Sequence, residues 1–226
     1  MFPYLSLSFL PLLAAIATAH RPHIDDGTHT SMSNAWIWPD TIYARDYMMN
    51  FECPSLAIFT KVFINDTSPH TFNLGVPNIT SIYDFRPTLW IVGKTLSIPE
   101  EYHKEQASKH NSASTEVPRF TPYIPQGFTT LEYPSEGSSL WHGGGESSVG
   151  ISFYTYLSVN VTVEEPGDVW AIIQPTENRR ARVFITLGHN EQRGDEDGES
   201  NQLDMEAWHS PTSWPRIGSK CEPWGI

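Results

Sequence analysis

Cysteine, basic charge and helical periodicity are all scarce in this chain. Cys53 and Cys221 are its two cysteines. In an oxidising compartment they suggest one disulfide, with free thiols or one intermolecular link as the alternatives. Lys and Arg number 14 against 26 Asp and Glu, for a net charge of -12. That balance, without any basic cluster, argues against nucleic acid and anionic lipid as partners. No segment after the first 19 residues approaches the roughly 20 apolar residues of a spanning helix, so no membrane span is expected. The one helix-compatible segment, 99–111, carries Glu100, Glu101, Lys104 and Glu105 near its start but no sustained apolar stripe. It reads as a short helical turn or a loop. There is no internal repeat.

What is present begins with a secretory signature. Residues 1–19 hold an apolar run (Phe9, Leu10, Leu12 to Ile16) closed by Ala17-Thr18-Ala19, the pattern of a signal peptide with its cleavage site. No Lys or Arg precedes Arg21, so the α-amino group supplies the positive charge. As a membrane anchor the run is too short, and Pro11 interrupts it. Secreted, extracellular localisation follows, and with it meaning for three sequons at Asn65, Asn78 and Asn160, each an acceptor for N-glycosylation.

The strongest structural signal lies between Gly150 and Gly188. Phe153, Thr155, Leu157, Val159, Val161 and Val163 alternate with Tyr154, Tyr156, Ser158, Asn160 and Thr162, the two-residue period of a strand with one buried face. A glycan at Asn160 must face solvent, which places Phe153, Leu157 and Val161 inside and Tyr154 and Tyr156 outside. Pro166-Gly167 is a strong turn signal. Val169 to Ile173 is apolar on both sides, and Ala181, Val183, Ile185 and Leu187 alternate again. The three runs read as a meander. Earlier, Leu56 to Ile64, His70 to Val76 and Leu89 to Val92 read as strands. Residues 112–145 are rich in Ser, Thr, Pro and Gly and read as a long irregular excursion. The expected fold is all-β, an antiparallel sandwich of jelly-roll type. Its divisions are a signal peptide at 1–19, a polar lead-in at 20–34, the sandwich at 35–189 and an acidic tail containing Trp and Pro at 190–226.

The run Phe85-Arg86-Pro87-Thr88-Leu89-Trp90-Ile91-Val92-Gly93, with Pro166-Gly167-Asp168-Val169-Trp170 and Val183 to Gly188, resembles the strands of secreted jelly-roll modules. The bacterial pre-peptidase C-terminal domain is the family in view. Arg179-Arg180-Ala181 stands where that family usually has a glycine ahead of its last strand. The resemblance implies a non-catalytic accessory in contact with carbohydrate or protein.

Several residues invite chemistry. Cleavage after Ala19 would expose His20 as an N-terminal histidine, whose amine and imidazole can hold copper, an ion suited to imidazole ligands. His103, His142 and His189 are candidates for its second histidine, with His142 the leading one. A copper-dependent oxidative enzyme is therefore the alternative function. His142-Gly143-Gly144-Gly145 matches an oxyanion-hole loop, but the nucleophile elbow that such a loop serves is missing. Asp195, Asp197 and Glu199 fail the calcium-loop spacing. Trp36, Trp38, Tyr123, Tyr133, Trp141, Tyr154 and Tyr156 are the candidates for a sugar platform, against the core role aromatics usually fill. Trp141, His142, Tyr154 and Tyr156 are the favoured binding set. The leading expectation is a secreted glycoprotein without catalytic residues or cofactor, binding an extracellular glycan or protein.

Overall fold

In a computed structural model of the chain, residues 21–53, 56–100, 102, 122–146, 151–188, 202–214 and 216–221 are described. They form a two-sheet sandwich. The strands are β1 (Arg21–Ile24), β2 (Trp36–Ile37), β3 (Arg45–Phe51), β4 (Ile58–Ile64), β5 (His70–Pro77), β6 (Thr88–Gly93), β7 (Thr129–Pro134), β8 (Trp141–Glu146), β9 (Ile151–Val161), β10 (Gly167–Gln174) and β11 (Ala181–Leu187). One sheet runs β1-β3-β11-β5-β9-β8 and the other β2-β4-β10-β6-β7. All neighbours are antiparallel except β1 on β3 and β2 on β4. The fold class is the expected one, an all-β sandwich.

The core between the sheets follows from alternation. Tyr47, Met49 and Phe51 face Ile58, Val62 and Ile64, with Phe72, Leu74, Val183, Ile185, Leu89, Ile91 and Ile173 in the same cluster. Each run puts every second residue inward, which is what a half-buried strand requires. β10 is buried on both faces because Phe59, Val92 and Ile172 form a second small cluster on the outer side.

Three expectations change. The runs in β9, β10 and β11 are not a meander: β9 pairs with β5 and β8, β10 with β4 and β6, and β11 with β3 and β5. The Pro166 turn carries the chain from one sheet to the other, a choice that turn residues alone do not encode. Within 112–145, the described part holds β7 and β8 in place of irregular chain. Third, the outer face assigned to Tyr156 is wrong. Leu74 pairs with Leu157 while Gly75 pairs with Thr155, so Tyr156 is the extra residue of a β-bulge. A one-residue insertion reverses every side chain beyond it. Tyr156 is therefore 2% exposed inside the core, and Tyr154 packs against the same core. Phe153 points outward instead, onto Phe184.

That outer face is covered. A helix, α1 (Gln202–His209), sets Met205 and Trp208 on Met48 and Phe184, with Ile24 and Phe153 alongside. The disulfide Cys53–Cys221 forms and returns the end of the chain to the sandwich, where Cys221 N–H donates to the Asn178 carbonyl at 2.9 Å.

Candidate functional site

β1 is the last strand of one sheet and β2 the last of the other, so the chain between them must cross the open side of the sandwich. This crossing, 25–35, is held at both ends. Asp25 N–H donates to the Met48 carbonyl at 2.8 Å, and Phe59 N–H donates to the His29 carbonyl at 2.8 Å. The lateral seam between the sheets is thereby closed by a short polar loop.

The loop buries a carboxylate. The Asp25 side chain is 1% exposed. Its Oδ1 accepts from the Tyr47 hydroxyl and lies 2.7 Å from His29 Nδ1. Its Oδ2 has no hydrogen-bond partner among the described residues. Asp26 is next, 67% exposed, with Oδ1 3.6 Å from the same His29 nitrogen. One ligand atom from each of Asp25, Asp26 and His29 lies within 4.8 Å of the other two.

The electrostatics follow from these contacts. The Thr28 hydroxyl and backbone N–H donate to Asp26 Oδ1 at 2.7 and 3.0 Å. They hold that carboxyl below the ordinary aspartate range, assisted by His29 and His23. Burial, and then the Asp25 charge, push the Tyr47 phenol far above its ordinary range. Tyr47 thus stays a hydrogen-bond donor to Asp25.

An aromatic wall backs the cluster. Trp36 stacks on Tyr47 with ring centroids 4.5 Å apart, and His23 stacks on Trp36 at 4.9 Å. Trp38 meets Trp36 edge-on at 4.8 Å. Trp38 is buried, and its indole N–H has no acceptor among the described residues. Two carboxylates and an imidazole beside these rings form a donor set that can hold a cation or a polar ligand.

Of the residues singled out from the sequence, Trp36 and Trp38 stand at this site, and the favoured binding set of Trp141, His142, Tyr154 and Tyr156 does not. Trp141 opens edge strand β8 at 44% exposure, with its backbone opposite Thr155. The backbone of His142 lies opposite Tyr154, and its side chain lies outside the described residues. Tyr154 is half-buried against the Tyr83 ring at 5.0 Å. The copper candidates His20, His103 and His189, and the acidic run from Asp195 to Glu199, also lie outside the described residues. Asn65, Asn78 and Asn160 are all exposed. The Thr71 hydroxyl donates to Asn160 Oδ1, leaving that amide nitrogen free of this bond, whereas Asn78 Nδ2 donates to Ser152. Sequence reasoning treated 20–34 as a polar lead-in and missed the seam. The signal was Asp25-Asp26 set three residues ahead of His29; Tyr47, which completes the group, stands 18 residues beyond His29.

No family model matches the chain, and no curated protein does. Among solved structures it is similar to CorA, described as a surface-associated copper-binding protein important in copper acquisition by Methylomicrobium album BG8. The identity is 10% and the TM-score 0.30, over 75% of this chain and 99% of that one. At those values the likeness carries no argument about what this chain binds.

Proposed function

We propose that this chain is a non-catalytic extracellular binding module that takes its ligand at the lateral seam. The observation that supports this reading is Asp25. A buried carboxyl oxygen removed from water without a partner costs about 1–3 kcal/mol. Apolar residues would close the seam without that cost, and a ligand that engages Oδ2 offsets it. The Cys53–Cys221 bond fits an oxidising compartment. The expected signal peptide and the three exposed sequons point the same way.

The test is a thermal-shift panel on the secreted full-length chain, with monosaccharides, oligosaccharides and metal ions, run beside Asp26→Ala and Trp36→Ala. At least one ligand class is expected to raise the melting temperature of the parent and to lose that effect in a seam variant. If every ligand that stabilises the parent stabilises both variants equally, the seam is not the binding centre.

A further inference from the structure

We infer that Asp25, Asp26 and His29 form a binding site for one divalent transition-metal ion of the zinc class. This rests on the seam reading above and names its ligand. The donor set is one imidazole nitrogen and two carboxylates, a mixture that suits borderline divalent ions.

The geometry is close to what such an ion needs. Two ligand atoms bound at about 2.1 Å across a tetrahedral angle stand roughly 3.4 Å apart. His29 Nδ1 and Asp26 Oδ1 are already 3.6 Å apart. His29 Nδ1 and Asp25 Oδ1 are 2.7 Å apart because they share a hydrogen bond. Binding replaces that bond, with the ring proton carried on Nε2. Asp26 is at the surface, so its side chain can adjust while the buried Asp25 cannot.

The second observation is independent of the clustering. Asp25 Oδ2 is buried and has no hydrogen-bond partner among the described residues, and an orphaned buried acceptor in a native fold calls for an explanation, of which a bound ion is one. Tyr47 explains which oxygen is left for it. By donating to Oδ1, the phenol occupies one oxygen and fixes the carboxylate plane, so Oδ2 is the oxygen with free lone pairs. Tyr47 is a positioning residue, since its hydroxyl is engaged as the donor to Asp25 Oδ1. Partners that orient a metal-binding group in this way typically govern 10–100-fold in affinity. Three protein ligands leave a coordination position open for water or an anion.

Calorimetric titration of Zn2+ into the full-length chain, stripped beforehand with a chelator, tests the assignment. One Zn2+ per chain is expected. His29→Ala and Asp26→Ala should each weaken binding at least tenfold, and Tyr47→Phe roughly 10–100-fold. Asp168→Asn, on the other sheet, should leave it unchanged. Asp26 is exposed, so its variant folds even where a change at Asp25 does not. Absence of saturable Zn2+ binding, survival of binding in Asp26→Ala and His29→Ala together, or a site that takes Ca2+ in preference to Zn2+ would each overturn the assignment. If Zn2+ fails while a sugar in the thermal-shift panel still depends on Asp26 or Trp36, the seam reading stands without the ion. If neither binds, the seam reading falls as well.

Discussion

Replacing Arg182 with methionine should loosen α1 on the sheet without melting the sandwich. Arg182 is buried on the outer face of β11. Its Nη1 donates to the carbonyls of Ala207, Trp208 and Ser210 and to Ser213 Oγ, and its Nε to Asn50 Oδ1 at 3.2 Å. The guanidinium also lies over Trp214 at 5.2 Å and Trp208 at 5.9 Å. The carbonyls in a helix's last turn have no partner within the helix, and here Arg182 serves the end of α1 together with Ser213 Oγ and Ser210 N–H. Burial pushes the guanidinium pKa down to about 10, so it is still charged at neutral pH. Two magnitudes oppose each other. The Trp208 carbonyl left without a donor costs about 1–3 kcal/mol, and the lost bonds to the Ala207 and Ser210 carbonyls, which keep Ser210 N–H and Ser213 Oγ as donors, cost about 0.5–1.5 kcal/mol each. Removing the cation returns its desolvation, about 3 kcal/mol at 1.36 kcal/mol per pKa unit. The balance is a loss of about 1 kcal/mol, concentrated in the helix. Hydrogen exchange reads it directly: amides of 202–209 should lose about fivefold in protection, at 1.36 kcal/mol per tenfold change, while β10 keeps its own. Unchanged helix protection and an unchanged urea midpoint would refute the clamp.

Other perturbations follow from the same contacts. Gly75→Ala would place a Cβ 2.1 Å from the Tyr154 carbonyl oxygen and 2.5 Å from the Phe184 ring. The bulge cannot absorb this, so a loss of at least about 3 kcal/mol in urea unfolding is expected, beyond the ordinary overpacking range of 1–3; a midpoint shift under a tenth would contradict it. Burial lowers the His209 pKa below the free imidazole value of 6.5. The unfolded chain therefore binds the proton first, so this contribution is whole above pH 6.5 and is lost as pH falls toward the folded pKa. His209→Gln should flatten the fall in stability between neutral and mildly acid pH, and equal slopes in both proteins would remove His209 as its source. Replacing Cys53 and Cys221 together opens a closure of 168 residues. Chain entropy assigns that closure about 5 kcal/mol, read as a lower urea midpoint, and an unaltered midpoint would show that the bond constrains nothing.

The sheets were legible because β4 and β11 carry a two-residue period in sequence and β6 an unbroken apolar run. The bulge was not. One inserted residue at Tyr156 leaves the alternation looking continuous, and the reversal is visible only against Gly75 on the neighbouring strand. This is why Tyr154 and Tyr156 looked like a sugar platform and are core. Sheet membership was equally hidden, since Pro166-Gly167 signals a turn but not whether the next strand pairs with the last. α1 has no clear apolar stripe because two residues, Met205 and Trp208, and one arginine from β11 hold it. The seam escaped for a related reason. Asp25, Asp26 and His29 stand together in a polar stretch indistinguishable from loop, while Tyr47 and Trp36 reach them only through the parallel pairing of β1 and the crossing to β2.

The most direct measurement of the central claim is X-ray absorption at the zinc edge of the metal-loaded, full-length chain. The seam site gives a shell of nitrogen and oxygen only, with the outer-shell scattering of one imidazole, and that imidazole signal disappears in His29→Ala. A shell with two or more imidazoles, or one unchanged by His29→Ala, would place the metal elsewhere and contradict the account.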